Sequence, residues 1–341
     1  MLINMYASLM VLLLLFSDCS KQQKNPDTEK KEEKKQTFDN PLVRVALADP
    51  TVIHADDGWF YVYATAGNVP IWKSKDLVDW RQAGNAFTDD TRPHFVEDGA
   101  VWAPEINYID GKYVLYYAMS TWGGEWKAGI GVAVSDSPLG PFQDLGKMFD
   151  SQSIGVKNSI DQAYMEDGGK KYLIWGSFNG IYIIELSDDG LSIKPGAAKK
   201  QLVGSAYEGS YVYKKGKYYY YFGSTGTCCE GAKSTYHVVY GRSESLFGPY
   251  VNKRGESLLD NHFETLIDNN SRFVGNGHNS QIVQDDAGND WMLYHGFELA
   301  SSPGQWDRFL MMSQIKWDEE GWPYVEGGSP QMGAPKPVFE K

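Results

Sequence analysis

Residues 208–224 read Glu208-Gly-Ser-Tyr-Val-Tyr-Lys-Lys-Gly216-Lys-Tyr-Tyr-Tyr-Tyr-Phe-Gly-Ser224. A polar residue opens a short run of aromatic and β-branched residues, a glycine follows, and a second aromatic run completes the unit. Two runs of strand-forming residues separated by a glycine turn predict a β-hairpin.

The same unit occurs four more times along the chain. The openers Asp49, Glu105, Asp161, Glu208 and His278 follow one another at 56, 56, 47 and 70 residues. These gaps leave room for two more strands in each unit. Four-stranded units repeated radially form a propeller, so we predict an all-β fold over residues 40–341: a five-bladed β-propeller with four-stranded antiparallel blades around a central funnel. A β-sandwich is the alternative, but it does not predict a similar hairpin in every unit.

The composition narrows the class of protein. Of 341 residues, 42% are hydrophobic and 22% charged, which is typical of a globular chain and excludes a wholly disordered or multi-span membrane protein. Aromatic residues make up 14%, which fits strands and carbohydrate-facing surfaces. The net charge of −12 argues against nucleic acid as a partner.

The N-terminus has the features of an export signal. Met5 to Phe16 is an apolar run too short to span a bilayer, and Cys19 follows it closely. The stretch resembles a bacterial lipoprotein signal, which implies a signal peptide over residues 1–18 and lipidation at Cys19. Residues 19–39 are then a flexible charged tether. We expect an exported protein, lipid-anchored at the periplasmic or cell surface; the alternative is an uncleaved anchor.

The openers predict a functional site. Residues at the same point of each inner strand meet around the axis of a propeller, so the ring would hold four carboxyls and a histidine. Buried carboxyls are costly unless they hold a substrate, a cation or a shared proton. Acidic residues also start strands at turns for structural reasons, but five in register favour a function.

The sequence around each opener resembles a known family, glycoside hydrolase family 43. The motifs that carry the resemblance are Ala48-Asp49-Pro50, Trp102-Ala-Pro-Glu105, Ser159-Ile-Asp161, Tyr207-Glu208-Gly209 and Gly277-His278-Asn279. The family consists of five-bladed propellers that include arabinanases, α-L-arabinofuranosidases and β-xylosidases. The resemblance covers about residues 40–339.

The resemblance implies a role for each matched residue. Asp49 would be the general base, Glu208 the general acid, and Asp161 the residue that raises the pKa of the acid. His278 would help to hold a hydrated metal ion, often calcium, and Trp102 would form part of the wall. An acid and a base on opposite sides of the sugar are also what inverting hydrolysis of a glycosidic bond requires.

Substrate contacts are predicted at six further positions. Glu105 stands where the family has Asp and is a bulkier candidate, and Arg308 either meets a sugar hydroxyl or forms a structural salt bridge. Four aromatic residues are candidates for stacking on sugar: Trp122, Trp126, Phe178 and Trp306.

The segments 228–236, 241–243, 248–250, 294–296 and 317–323 look most like the arabinan-acting members of the family. We therefore expect cleavage of α-L-arabinofuranosyl linkages in plant polysaccharide. The alternatives are a β-D-xyloside substrate, a fructan-cleaving propeller, and a non-catalytic glycan-binding propeller.

Two further expectations concern covalent and quaternary structure. Cys228 and Cys229 either form a vicinal disulfide or remain as two thiols. We expect a monomer whose partner is an oligo- or polysaccharide, and whose contact with a membrane is through the lipid anchor alone.

Overall fold

The computed structural model describes residues 36–340. Within that range, no helix has both the length and the apolar character that crossing a membrane requires. The expected signal peptide, the lipidated Cys19 and most of the tether lie outside the described residues.

Strands dominate the first half of the domain. Two short strands come first, β1 (Thr37–Phe38) and β2 (Val43–Ala46). Blade 1 contains β3 (Ala48–His54), β4 (Phe60–Thr65), β5 (Pro70–Ser74) and β6 (Arg81–Asn85). Blade 2 contains β7 (Ala100–Ile109), β8 (Lys112–Ser120), β9 (Gly129–Ser135) and β10 (Gln143–Asp150). A single helical turn, α1 (Ser151–Ile154), leads to blade 3, which contains β11 (Ala163–Asp167), β12 (Lys170–Trp175), β13 (Ile181–Glu185) and β14 (Lys200–Val203).

The second half repeats the plan. Blade 4 contains β15 (Glu208–Lys215), β16 (Tyr218–Thr225), β17 (His237–Ser243) and β18 (Glu264–Ile267). The last part contains β19 (Phe273–Gly277), β20 (Ile282–Gln284), β21 (Asp290–Glu298), β22 (Phe309–Trp317), β23 (Pro323–Tyr324) and β24 (Ala334–Pro335). Short 3₁₀ turns span Gly231–Lys233, Leu258–Asp260, Leu299–Ser301 and Glu326–Gly328.

The first three blades are separate antiparallel sheets with their strands in chain order. Their hairpins turn where the sequence predicts: Asp110 and Gly111, both with positive φ, join β7 to β8, and such a pair suits the twist of a two-residue hairpin loop. Strand β19 pairs with β21 and meets β17 at one residue pair, which joins blades 4 and 5 into one ten-stranded sheet. The predicted five-bladed propeller is confirmed.

The N-terminal strands close the ring. Blade 5 consists of β20, β21 and β22, and its outer strand is β2, which pairs antiparallel with β22. Strand β1 pairs with β24 near the C-terminus. The folded domain therefore begins before residue 40: the sequence-based boundary placed Thr37 and Phe38 in the tether, whereas the Phe38 side chain is buried.

The hydrophobic core lies between the blades and not within a single layer. Each of five buried clusters joins side chains of two neighbouring blades, and one of them joins blade 5 to blade 1. Representative pairs across the five boundaries are Ile71 and Leu115, Tyr116 and Leu173, Ile183 and Tyr221, Phe222 and Tyr294, and Leu310 and Val62. Burial of large aromatic and aliphatic side chains at every boundary holds the blades around a common centre.

Candidate active site

A cavity of about 720 Å³ opens where the inner strands begin. The predicted site residues that line it are Asp49, Trp102, Asp161, Phe178, Glu208, His278 and Arg308. Trp122 and Trp306 also line it, whereas Trp126 and Glu105 do not. The fold therefore brings together residues from all five blades that lie far apart in sequence.

One residue at the start of each inner strand has a left-handed backbone conformation. These equivalent residues are Asp49, Ala103, Asp161, Gly209 and His278, with φ of 52°, 41°, 57°, 56° and 51°. The conformation is unfavourable for a residue with a Cβ, and such strain is common at functional sites. Glu208 precedes the left-handed residue of its blade, Gly209, by one position, and Glu105 follows that of its blade, Ala103, by two positions. The expectation of five openers in one register is therefore wrong for these two glutamates.

Glu105 lies away from the cavity as a consequence of its register. Its carboxylate accepts hydrogen bonds from the Thr51 hydroxyl at 2.9 Å, the Gln281 amide at 3.0 Å and the Asn107 amide at 3.2 Å. Burial raises the pKa of Glu105 to about 7, although these hydrogen bonds oppose the rise. The structure thus contradicts direct contact between Glu105 and a sugar in the cavity; its carboxyl holds blades 1, 2 and 5 together.

Asp49 presents an ionised carboxylate to the cavity. Its Oδ1 lies 3.1 Å from Nη1 of Arg308 and 3.2 Å from Nδ1 of His278. Burial by itself would raise the pKa of Asp49, but the charges of Arg308 and His278 outweigh it and hold the pKa well below its usual value. The salt-bridge role expected as one alternative for Arg308 is therefore present, and Asp49 is equipped to act as a base at neutral pH.

Glu208 contacts a hydroxyl group where Asp49 contacts two positively charged side chains. The Ser177 hydroxyl donates a hydrogen bond of 2.6 Å to Oε2 of Glu208. Burial raises the pKa of Glu208, against the lowering effects of this hydrogen bond and of the charge of His278, while the charge of Asp49 adds to the rise. A carboxyl whose protonated form is favoured in this way can donate a proton near neutral pH.

Asp161 interacts electrostatically with Glu208. The Gly209 N–H donates to its Oδ2 at 3.1 Å. Burial raises the pKa of Asp161 to about 7; the charge of His278 opposes this, and the carboxylates of Glu208 and Asp49 add to it. The charge of Glu208 adds to the raised pKa of Asp161, and burial is the largest cause for both carboxyls. The expected effect of Asp161 on the pKa of Glu208 stays a prediction.

Three further residues complete the site and were missed from the sequence. The backbone N–H of Asp49 donates to Nδ1 of His295 at 3.0 Å, and burial lowers the pKa of His295 to about 4, so this ring is neutral. Tyr236 stacks on His295 with 5.7 Å between ring centroids and lines the cavity. The third is Ser177, which closes the third repeat. Tyr236 and His295 fall inside segments quoted above, whereas Ser177 falls in none, and no pattern distinguished any of the three from a core or turn residue.

The rim of the cavity contains apolar groups. Phe178 is 40% exposed, which suits the predicted stacking on sugar. Cys228 and Cys229 form a disulfide, which decides between the two alternatives, and both line the cavity. Because this disulfide has no strong hydrogen-bond donor, it adds to the apolar part of the wall.

A calcium ion finds few side-chain ligands here. Among residues 36–340, no three or more His, Cys, Asp or Glu side chains are arranged to hold a metal ion. Burial would lower the pKa of His278, but the charges of Asp49 and Asp161 raise it to about 9, so its imidazole is protonated at neutral pH. One protonated imidazole does not fit a hard cation that prefers oxygen ligands. Calcium at His278 stays a prediction of the resemblance, and no chemical step is derived through it.

Comparisons with known proteins show what the chain is similar to. A family model described as "Glycosyl hydrolases family 43" matches residues 38–323. The chain is 34% identical over 313 residues to an extracellular exo-α-(1→5)-L-arabinofuranosidase of Cellvibrio japonicus, covering 83% of this chain and 87% of that protein. It is 31% identical over 294 residues to an extracellular endo-α-(1→5)-L-arabinanase of Bacillus subtilis, covering 81% and 87%.

A solved structure shows the same fold. The α-L-arabinanase of Cellvibrio cellulosa complexed with arabinohexaose superimposes with a TM-score of 0.76 at 30% identity, covering 85% of this chain and 99% of that one.

Proposed function

Since the chain belongs to glycosyl hydrolase family 43, we propose that it hydrolyses α-L-arabinofuranosyl linkages in arabinan or in arabinose-decorated glycans, with inversion at the anomeric carbon. The similar proteins named above act on such linkages by their descriptions, which supports the substrate class. One observation carries the chemistry. A single cavity holds Asp49 with a lowered pKa and the pair Asp161 and Glu208 with raised pKa values.

Opposite pKa shifts assign the acid and the base. Two carboxyls in one site perform different tasks when their environments push their pKa values apart. The ionised Asp49 is the general base, and the protonated Glu208 is the general acid. Asp161 is a positioning residue that keeps the proton on the pair through its negative charge.

The proposed reaction is a single displacement by water at the anomeric carbon. A water molecule between Asp49 and the sugar loses a proton to the Asp49 carboxylate while its oxygen forms a bond to the anomeric carbon. The bond from that carbon to the glycosidic oxygen breaks, and Glu208 gives its proton to the leaving oxygen. Arg308 and His278 stabilise the negative charge that Asp49 carries beforehand, so the base is ionised when substrate arrives.

One experiment tests both the proposed substrate class and the proposed stereochemistry. The purified domain is given paired nitrophenyl α-L-arabinofuranoside and β-D-xyloside, and proton NMR follows the first-formed anomer. We expect release from the arabinofuranoside with an inverted product. Faster release from the xyloside would replace the substrate, a retained anomer would replace the mechanism, and no release from either glycoside or from arabinan would favour a non-catalytic glycan-binding propeller.

We also propose export followed by lipid anchoring at Cys19. The apolar run before Cys19 supports export, and the similar proteins described as extracellular agree with it. Cys19→Ala should move the full chain from the membrane fraction to a soluble fraction and leave its hydrolytic rate unchanged. If the variant stays with membranes, the apolar run is itself the anchor.

A further inference from the structure

The rim of the cavity is uneven. The loops that follow the second strand of each blade differ in length: residues 66–69 in blade 1, 121–128 in blade 2, 176–180 in blade 3, 226–236 in blade 4 and 299–308 in blade 5. Blades 1 and 3 thus have the short loops, and residues of all five loops line the cavity. Loop lengths by themselves would therefore give a groove that is open at two ends, over blade 1 and over blade 3.

The opening over blade 1 is spanned by two tryptophans. Trp122 in the blade 2 loop and Trp306 in the blade 5 loop meet edge to face, with 5.7 Å between ring centroids. Blade 1 lies between these two blades, since β3 packs against both β7 and β21. The rings are 70% and 52% exposed, so they meet above the surface and not within the core. We call this contact the Trp bridge.

The Trp bridge stands over the general base. The guanidinium of Arg308 lies 5.9 Å from the centroid of the Trp306 ring, and its Nη1 contacts the Asp49 carboxylate at 3.1 Å. The blade 4 loop supports the blade 5 loop that contains Trp306. Gly231 packs so closely against the Pro303 carbonyl that a Cβ at residue 231 would lie 2.8 Å from that oxygen. The bridge is therefore held in place over one side of the catalytic centre.

The opposite side is the side of the general acid. Glu208 is hydrogen-bonded by Ser177, which is followed by Phe178 in the short blade 3 loop. In an inverting displacement the leaving group departs on the side of the acid, away from the base. The open end of the cavity therefore lies on the side of the acid and the leaving group, and the bridged end lies on the side of the base.

We propose that the Trp bridge closes the cavity at its glycone end, so that the enzyme attacks chain ends and not the interior of its polymer. This inference rests on the proposed arabinan-cleaving function and adds the mode of attack. Trp122 and Trp306 act as specificity-determining residues: a polymer running through the site would have to pass over blade 1, where the two rings stand in its path.

The experiment measures internal and terminal cleavage together. Wild type, Trp122→Ala and Trp306→Ala are compared on linear arabinan for reducing ends and viscosity, and on dyed cross-linked arabinan, from which only internal cuts release dye. Wild type should produce short products with a slow fall in viscosity and almost no dye. Either variant should raise dye release relative to reducing ends by roughly tenfold, which is the scale on which one steric feature of a pocket discriminates substrates.

Trp126→Ala is the matched control, because Trp126 lies in the same loop, is 50% exposed and does not line the cavity. It should behave as wild type, and equal melting temperatures should show that all variants fold. Wild type that releases dye as efficiently as its variants overturns the inference while leaving the arabinan function intact. Absence of any cleavage of arabinan or of an aryl arabinofuranoside would instead reject the function itself.

Discussion

The Nδ1 atom of His278 lies 3.2 Å from Oδ1 of Asp49, which places an imidazolium against a carboxylate inside the cavity. Each group changes the other: the charge of His278 lowers the pKa of Asp49, and the charge of Asp49 raises the pKa of His278 to about 9. Burial opposes both charged forms, and the charge of Arg308 lowers the pKa of Asp49 more than the charge of His278 does. The pair therefore provides a base that is buried and ionised at the same time.

Asp49→Asn should abolish turnover while sugar binding remains, because the shape of the cavity is kept and the proton acceptor is lost. The same change should lower the pKa of His278 from about 9 toward its ordinary value, since its nearest negative partner is gone. Calorimetry with an arabino-oligosaccharide and NMR titration of the imidazole measure the two effects. A variant that keeps more than a trace of activity would show that another group accepts the proton.

Glu208→Gln should lower the rate on natural arabinan by roughly 10²–10⁴-fold, which is the usual contribution of a general acid. An aryl arabinofuranoside with a good leaving group needs less protonation, so its rate should fall much less. Glu244→Gln is the control, because Glu244 is an exposed partner of Lys217 on the surface. Equal losses on the two substrates would argue against Glu208 as the acid.

The rate should fall as the pH rises above neutrality. Asp161 and Glu208 both have raised pKa values, so the proton that catalysis needs is present below the pKa of the pair and is lost as the pH passes through it. Asp161→Asn removes a negative charge, and the descending limb of the kcat/KM profile should move to lower pH. The shift should be partial because burial, the larger cause, remains. A limb that does not move would show that Asp161 acts on Glu208 in some other way.

The repeats were sufficient to predict the architecture, and the opener motifs led to most of the cavity. Hairpins recur because local strand and turn preferences recur, and these are visible in sequence. Asp49, Asp161 and His278 share a register because each stands at the same left-handed position.

The remaining features depend on contacts that are distant in sequence. Glu105 carries the same chemistry as the other openers, but a two-residue offset places it among Thr51 and Gln281 and outside the cavity. The Trp bridge joins residues of blades 2 and 5 that no periodicity relates. The strand that completes blade 5 comes from the opposite end of the chain.

Chelation tests the calcium expectation at His278. A cation can bind an imidazole nitrogen only after the proton leaves, so calcium binding should release a proton and strengthen as the pH rises toward about 9, the pKa of His278. If calcium binds here, EDTA should lower the activity or the melting temperature, and calcium should restore them. His278→Ala should no longer respond, whereas the exposed His262→Ala should respond as wild type does. Indifference to EDTA, with no metal found by elemental analysis, would contradict the expectation.

The N-terminal closure predicts a stability effect far from the site. Phe38 is buried between blades 5 and 1, and its ring meets that of Trp291 edge to face at 6.1 Å. Replacing a buried Phe by Ala costs about 3–5 kcal/mol in the free energy of unfolding, and we expect Phe38→Ala to lie near the lower end because β1 is only two residues long. Val45→Ala, at a half-exposed position of the neighbouring β2, should cost less than about 0.5 kcal/mol. Denaturant unfolding of the two variants gives both values. If Phe38→Ala costs as little as Val45→Ala, residues 36–39 contribute nothing to the fold and behave as the end of the tether.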